Sequence, residues 1–280
     1  MYRYSLGMYE KAMPDSMPLE EKMRAAKEAG FDHLELCVDL NEERAKRLEW
    51  ADEEVGYWLN KSREIGLPFT SFSLSLLRRF PLGTPDDRVN EQSLDIIRSA
   101  CRLAVGLGSR IMLINGYDVY DSPSTEETRT RFFQTMERAL SICAEYGVMV
   151  GIENAERPFC KTIQDGVDIC RKLPSPYLAV YGDIANATIA AEGDAGVAVR
   201  DILSGRGYLA ALHLKDALPG QYRFHDFGRG MVDFDRCIRA AKAVNVHLFT
   251  AEIFCDEKGD PLAYAGQVAR GLRGYLDRED

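Results

Sequence analysis

The sequence predicts an α/β fold, a closed (β/α)8 barrel spanning residues 1–280 as one domain, and three observations carry that expectation. Short apolar runs rich in β-branched and aromatic residues alternate with longer amphipathic stretches along the whole chain, at intervals of roughly 30 to 35 residues. The alternation repeats eight times between Tyr2 and Leu276. Glycines separate amphipathic stretches from the next apolar run at Gly30, Gly66, Gly108 and Gly147, where helices commonly stop on a left-handed residue. Eight successive βα units suit a closed barrel better than an open doubly wound sheet, and no GxGxxG follows the first run to mark a dinucleotide-binding turn.

Taken in order, the strands are expected at 4–9, 33–38, 69–74, 110–115, 148–153, 178–183, 209–213 and 247–252. The stretches between them carry helical stripes. In 93–105, Leu94, Ile97, Cys101, Ala104 and Val105 recur at helical spacing and are expected to form a buried face.

Apolar residues make up 46% of the chain and charged residues 28%, which is ordinary for a globular protein with a sizeable core. No shift in composition marks a linker. The net charge of −9 opposes a general affinity for nucleic acid or anionic membranes, both of which require a basic face. The N-terminal segment has no apolar stretch of signal-peptide type, and no run of about 18 apolar residues could span a bilayer, so a cytoplasmic location is expected. The seven cysteines are scattered, without a CxxC pair, and read as reduced, buried thiols.

In such a barrel the chemistry sits at the C-terminal ends of the strands. Four consecutive strands finish on ligand-type residues: Glu153 in VMVGIEN, Asp183 in LAVYGDIAN, His213 in LAALHLKD and Glu252 in HLFTAEIF. Their separations of 30, 30 and 39 residues are each about one βα unit, so all four side chains should meet at one rim. Three facing carboxylates repel one another unless a cation compensates. One divalent metal is therefore implied, and three oxygens with one imidazole suit Mn²⁺, Mg²⁺, Co²⁺ or Zn²⁺ without selecting among them.

Several segments carry a resemblance to a known family: GMYEKAMP (7–14), FDHLELCVDLNEERAKRLEW (31–50), RRFPLG (78–83), GYDVY (116–120), GDIAN (182–186), HLKDALPG (213–220) and DFGRGMVDF (226–234). The chain resembles the sugar-phosphate 3-epimerases acting on L-ribulose 5-phosphate and L-xylulose 5-phosphate, of the xylose isomerase and apurinic endonuclease TIM-barrel superfamily. The resemblance implies that Glu153, Asp183, His213 and Glu252 are the metal ligands. It also implies that Glu153 and Glu252 flank the substrate as the acid and base pair. Two positions depart from the family pattern near the expected substrate mouth: Leu77 where histidine is common, and Arg229 where the family has glutamate.

A ketose has acidic hydrogens only beside its carbonyl, so inverting C3 requires removing a proton from one face and returning one to the other, through an enediolate. Further residues near strand ends are candidates to line the sugar site: Tyr9, Glu10, Glu35, Asn115, Asn154, Asn186 and Lys215. For a phosphate, Lys215, Arg229 and the Gly228 and Gly230 backbone follow strand seven, and Arg78 and Arg79 follow strand three. The expected partner is a sugar or sugar phosphate, with a homodimer as the expected assembly. A free-ketose 3-epimerase or an aldose-ketose isomerase would use the same ligands. A three-zinc apurinic endonuclease would need about five histidine ligands. Only four histidines are present, at 33, 213, 225 and 247, and of these only His213 ends a strand.

Overall fold

The computed structural model describes residues 2–219, 221–222, 226–255 and 259–278, so that Gly220 and His225 lie outside the described residues. The strands are β1 (Ser5–Tyr9), β2 (His33–Cys37), β3 (Phe69–Ser73), β4 (Ile111–Asn115), β5 (Met149–Glu153), β6 (Leu178–Asp183), β7 (Leu209–Leu214) and β8 (Leu248–Ala251). All pairings are parallel and sequential, and β8 returns to β1, with Ser5 opposite Leu248, to close the barrel. Each boundary falls within one residue of the sequence expectation.

The helices are α1 (Leu19–Glu28), α2 (Glu42–Ala45), α3 (Asp52–Ile65), α4 (Asp87–Leu107), α5 (Glu126–Tyr146), α6 (Ile163–Lys172), α7 (Ile184–Ala190), α8 (Ala195–Ser204), α9 (Phe234–Ala243) and α10 (Pro261–Leu276). Their starts are written locally: Thr125 and Thr162 accept from the third backbone N–H of α5 and α6, and the third side chain reaches back in each. Gly66, Gly108 and Gly147 close α3, α4 and α5 in the left-handed region, and Gly30, just beyond α1, also has positive φ. No helix among the described residues is long and apolar enough to cross a membrane.

The main apolar core lies between barrel and helices. On α4, Leu94, Ile97, Cys101 and Ala104 are buried as expected, but Val105 is 40% exposed. At about 100° per residue it falls on the edge of a stripe that instead continues to Leu107. All seven cysteines are free, and all but Cys255 are buried.

Inside the barrel the packing is different. Leu113, Tyr181 and Ala211 form a small separate apolar cluster, and polar side chains fill the space around it. Ser5 Oγ lies 2.9 Å from His33 Nδ1, and His33 Nε2 lies 3.4 Å from Thr250 Oγ1. Thr250 Oγ1 lies 2.9 Å from the Tyr181 hydroxyl, which donates to Glu35 Oε2 at 2.6 Å. Two glycines make room for the rings: a Cβ at Gly7 would fall on the His33 imidazole, and one at Gly151 would lie 2.8 Å from Tyr181 Cβ.

Burial pushes the His33 imidazole down to about 4, against the weaker pull of Glu35 and Asp32. The fold therefore holds His33 neutral, while the unfolded chain binds a proton there below about pH 6.5. The stabilisation this gives is complete above about pH 6.5 and is lost as pH falls toward about 4. Urea unfolding should accordingly show the unmodified protein losing about 2 kcal/mol more than His33→Asn between about pH 7 and about pH 5; equal losses would contradict a buried, neutral His33.

Candidate metal centre and active-site pocket

Strand register brings the candidate residues to one rim. Asn115 pairs with Glu153 across β4 and β5, Asp183 pairs with His213 across β6 and β7, and Leu214 pairs with Ala251, the residue before Glu252. Asp183 closes β6 and also caps α7, its Oδ1 accepting from the Asn186 N–H at 2.8 Å. Asn154 staples the two strand ends: its Oδ1 accepts from the Asp183 N–H at 2.7 Å, and its Nδ2 donates to the Asp183 carbonyl at 3.0 Å. Asn186 Nδ2 returns a bond to the Asn154 carbonyl at 2.8 Å.

Glu153, Asp183, His213 and Glu252 each offer a ligand atom, and the four atoms lie within 4.8 Å of one another. The first three are buried and Glu252 is nearly so. His213 Nδ1 lies 2.9 Å from Glu153 Oε1 and 3.6 Å from Glu252 Oε2, while its Nε2 lies 2.7 Å from Glu35 Oε1. Lys215 Nζ sits 2.6 Å from Asp183 Oδ2 and 2.7 Å from Glu252 Oε2. Both oxygens nonetheless lack a partner in hydrogen-bond geometry, although both are buried. The single ammonium offsets one negative charge of the two without meeting either oxygen in hydrogen-bond geometry, and buried lone pairs in that state are costly. Three oxygens and one imidazole nitrogen, two of the oxygens unsatisfied, fit a divalent cation.

The charges are strongly coupled. Burial, together with the Glu252 and Glu153 carboxylates, pushes Asp183 up to about 7 against the pull of Lys215. Glu252 suffers the same burial but is held down at about 2 by Lys215 and His213. Lys215 sits between the two, yet they move in opposite directions, because close buried carboxylates do not both ionise freely and one of them retains the proton. Burial would also discharge His213 and Lys215, and in each the surrounding carboxylates outweigh it and favour the cation.

A cavity of about 520 Å³ opens over this cluster. Asn115, Asn186 and Lys215 line its floor beside Glu153 and Glu252. Asn115 Nδ2 donates to Glu153 Oε2 at 2.5 Å, and the Oδ1 atoms of Asn115 and Asn186 are buried without a partner. One wall carries Arg78, Tyr117, Tyr120 and Glu156, and Gln221 and Tyr222 also border the cavity. The Arg78 guanidinium lies 5.0 Å from the centre of the Tyr120 ring, Arg157 lies over the same ring at 5.0 Å, and Arg78 Nε is buried without a partner.

Not every expected residue reaches the pocket. Glu10 is fully buried away from it, where both oxygens accept from Arg47 at 2.5 and 2.6 Å and Lys22 stands 3.5 Å away. It begins a 3₁₀ turn after β1 and serves as the anion of a closed ion cluster. Arg229 is exposed and faces Asp226 at 3.5 Å, and the Gly228 and Gly230 N–H groups are consumed by Asp216 Oδ2 at 2.8 Å each. That loop offers no free anion cradle among its described residues. Arg79 is exposed, whereas Arg78 lines the pocket. Tyr9 packs beside His213 with ring centres 6.0 Å apart, and Glu35 lies against the far nitrogen of His213, Nε2. Leu77 is buried in a small apolar recess next to Arg78. The sequence reading missed Tyr117, Tyr120, Glu156, Gln221 and Tyr222 as pocket residues. For the first two a signal existed, since GYDVY directly follows β4.

The chain matches the xylose isomerase-like TIM barrel family over residues 23–275. It is 36% identical over 272 residues to the L-ribulose-5-phosphate 3-epimerase UlaE of Escherichia coli strain SE11, covering 97% of this chain and 94% of that protein. Among solved structures, an L-ribulose 3-epimerase superposes with a TM-score of 0.81 at 17% identity, covering 98% of this chain and 95% of that one. The D-allulose 3-epimerase of Methylomonas sp. in complex with D-allulose gives 0.78 at 18% identity, with 98% and 97% covered. These two likenesses are of fold; the relationship to UlaE extends to sequence. With its closed barrel, its rim of ligand-type residues and a relative matched along nearly its full length, the chain belongs to the xylose isomerase-like TIM barrel family, among the L-ribulose-5-phosphate 3-epimerases.

Proposed function

We propose that this protein is a metal-dependent isomerase that inverts C3 of a ketopentose 5-phosphate, interconverting L-ribulose 5-phosphate and L-xylulose 5-phosphate. The observation that carries the reading is the convergence of Glu153 and Glu252, from β5 and the end of β8, on a buried oxygen and nitrogen cluster beneath a pocket walled by an arginine. Glu153, Asp183, His213 and Glu252 would hold the cation, for which Mn²⁺, Mg²⁺, Co²⁺ and Zn²⁺ all suit the donor set. When bound, it supplies Lewis-acid polarisation of the substrate carbonyl.

The protein's own residues do the rest. One of Glu153 and Glu252 takes the C3 proton, and the other returns a proton to the opposite face, so the carbon is inverted without net change in atoms. Asn115 holds Glu153 through its 2.5 Å hydrogen bond, and Lys215 holds Glu252 as an ion pair at 2.7 Å. Asn115 and Asn186 have buried amide oxygens free to accept sugar hydroxyls. Arg78, with a free Nε pinned over Tyr120, is the residue we assign to the phosphate.

Incubation with Mn²⁺ and L-xylulose 5-phosphate in D2O should place deuterium at C3, seen by NMR. Glu153→Gln and Glu252→Gln should each slow epimerisation by on the order of 10²-fold or more. Deuterium at C1 instead would identify an aldose-ketose isomerase, preference for unphosphorylated ketoses a free-sugar epimerase, and no exchange from any ketose would sink the reading. Arg78→Met should raise KM for the phosphorylated pentulose by on the order of 10-fold or more while leaving free-ketose turnover nearly unchanged. Cation binding must displace protons from Asp183 and His213, so Mn²⁺ affinity should rise with pH through the Asp183 value of about 7. Mn²⁺ titration followed by electron paramagnetic resonance at pH values on either side checks this, and a flat profile would contradict it.

A further inference from the structure

We infer that Glu35 is a positioning residue that fixes the tautomer of His213, so that Nε2 carries the proton and Nδ1 is the nitrogen offered to the cation. The inference rests on the proposed cation site and adds to it a residue that touches neither substrate nor metal. Glu35 is fully buried inside the barrel, one layer below the rim. Its Oε2 accepts from the Ser71 hydroxyl at 2.5 Å and the Tyr181 hydroxyl at 2.6 Å, and its Oε1 faces His213 Nε2 at 2.7 Å.

The direction of these bonds follows from counting protons. The Tyr181 hydroxyl has one proton and gives it to Glu35, so toward Thr250, 2.9 Å away, it accepts. Thr250 then spends its own proton on Tyr181 and must accept from His33 Nε2 at 3.4 Å. A neutral His33 protonated on Nε2 leaves Nδ1 to accept from Ser5, 2.9 Å away. Every donor from Ser5 upward points toward Glu35. The carboxylate ends this chain from below, and from above it is met by His213 Nε2, which can only donate to it. The opposite nitrogen, Nδ1, is the one beside Glu153 and Glu252, at 2.9 and 3.6 Å. A histidine that ligates through one nitrogen while giving the other N–H to a carboxylate is oriented and made a better donor, and loss of such a partner typically costs 10- to 100-fold in metal affinity.

The test compares the unmodified protein with Glu35→Gln and Glu35→Leu. In ¹⁵N-labelled protein loaded with Zn²⁺, the His213 resonances should show Nδ1 bound to the metal and a slowly exchanging proton on Nε2. Glu35→Leu should weaken Mn²⁺ binding by roughly 10- to 100-fold and expose the Nε2 proton to exchange. Glu35→Gln, whose amide oxygen can still accept from Nε2, should keep the affinity within severalfold of the original. Circular dichroism confirms that each variant is folded. Zinc on Nε2, or a folded Glu35→Leu protein that binds Mn²⁺ as the original does, would overturn the inference. The nitrogen assignment needs no variant, so it decides the matter even if Glu35→Leu does not fold. Failure of the unmodified protein to bind either metal would instead overturn the cation site itself, and the inference with it.

Discussion

Three carboxylates held within a few ångströms of one another under the rim of a barrel set the terms for everything around them. Left to themselves, Glu153, Asp183 and Glu252 would repel one another. The chain answers with two cations of its own, Lys215 and the His213 imidazole, and with donors aimed at the remaining oxygens. Asn115 serves Glu153, and the Asn186 N–H serves Asp183. These partners offset part of the cluster's charge, but two oxygens meet Lys215 only as ion pairs, outside hydrogen-bond geometry. A site short of bonds suits a divalent ion, while Asn115 and Lys215 hold the two glutamates at the pocket floor.

The pocket thus has two chemical ends. At its floor, oxygen-rich side chains suit a cation and the hydroxyls of a sugar. On its wall, Arg78 stacks over Tyr120 with an unspent N–H. A substrate with a ketone and vicinal hydroxyls at one end and an anion at the other matches that polarity.

Strand positions were legible because a barrel repeats one unit, and each unit announces itself by an apolar run followed by an amphipathic stretch. The four rim residues were legible for the same reason, since each stands at the polar end of such a run. Residues beyond the strands were harder to read. Glu10 follows β1 immediately, as a pocket residue would, yet the chain turns there, and Arg47, thirty-seven residues on, claims its carboxylate. Nothing local to Glu10 announces that partner. Arg229 and its flanking glycines look like an anion loop until Asp216 is seen to take their amides. Tyr117 and Tyr120 reach the cavity through the path of the segment after β4, which periodicity does not describe. Glu35 was noticed on β2, but its alignment with His213 depends on how eight strands tilt around one another.

The directional chain of hydroxyls and imidazole inside the barrel runs from Ser5, at the opening opposite the pocket, to the ring of His213. The chain thus links the closed, packed end of the barrel to the pocket floor. If Glu35 fixes the His213 tautomer as inferred, substitution at Ser5, His33, Thr250 or Tyr181 would alter how His213 meets a cation without changing a residue that lines the cavity. On that inference, Ser5, His33, Thr250 and Tyr181, none of which lines the cavity, would act on the proposed ligand from below, while Glu153 and Glu252 would still serve cation and sugar alike.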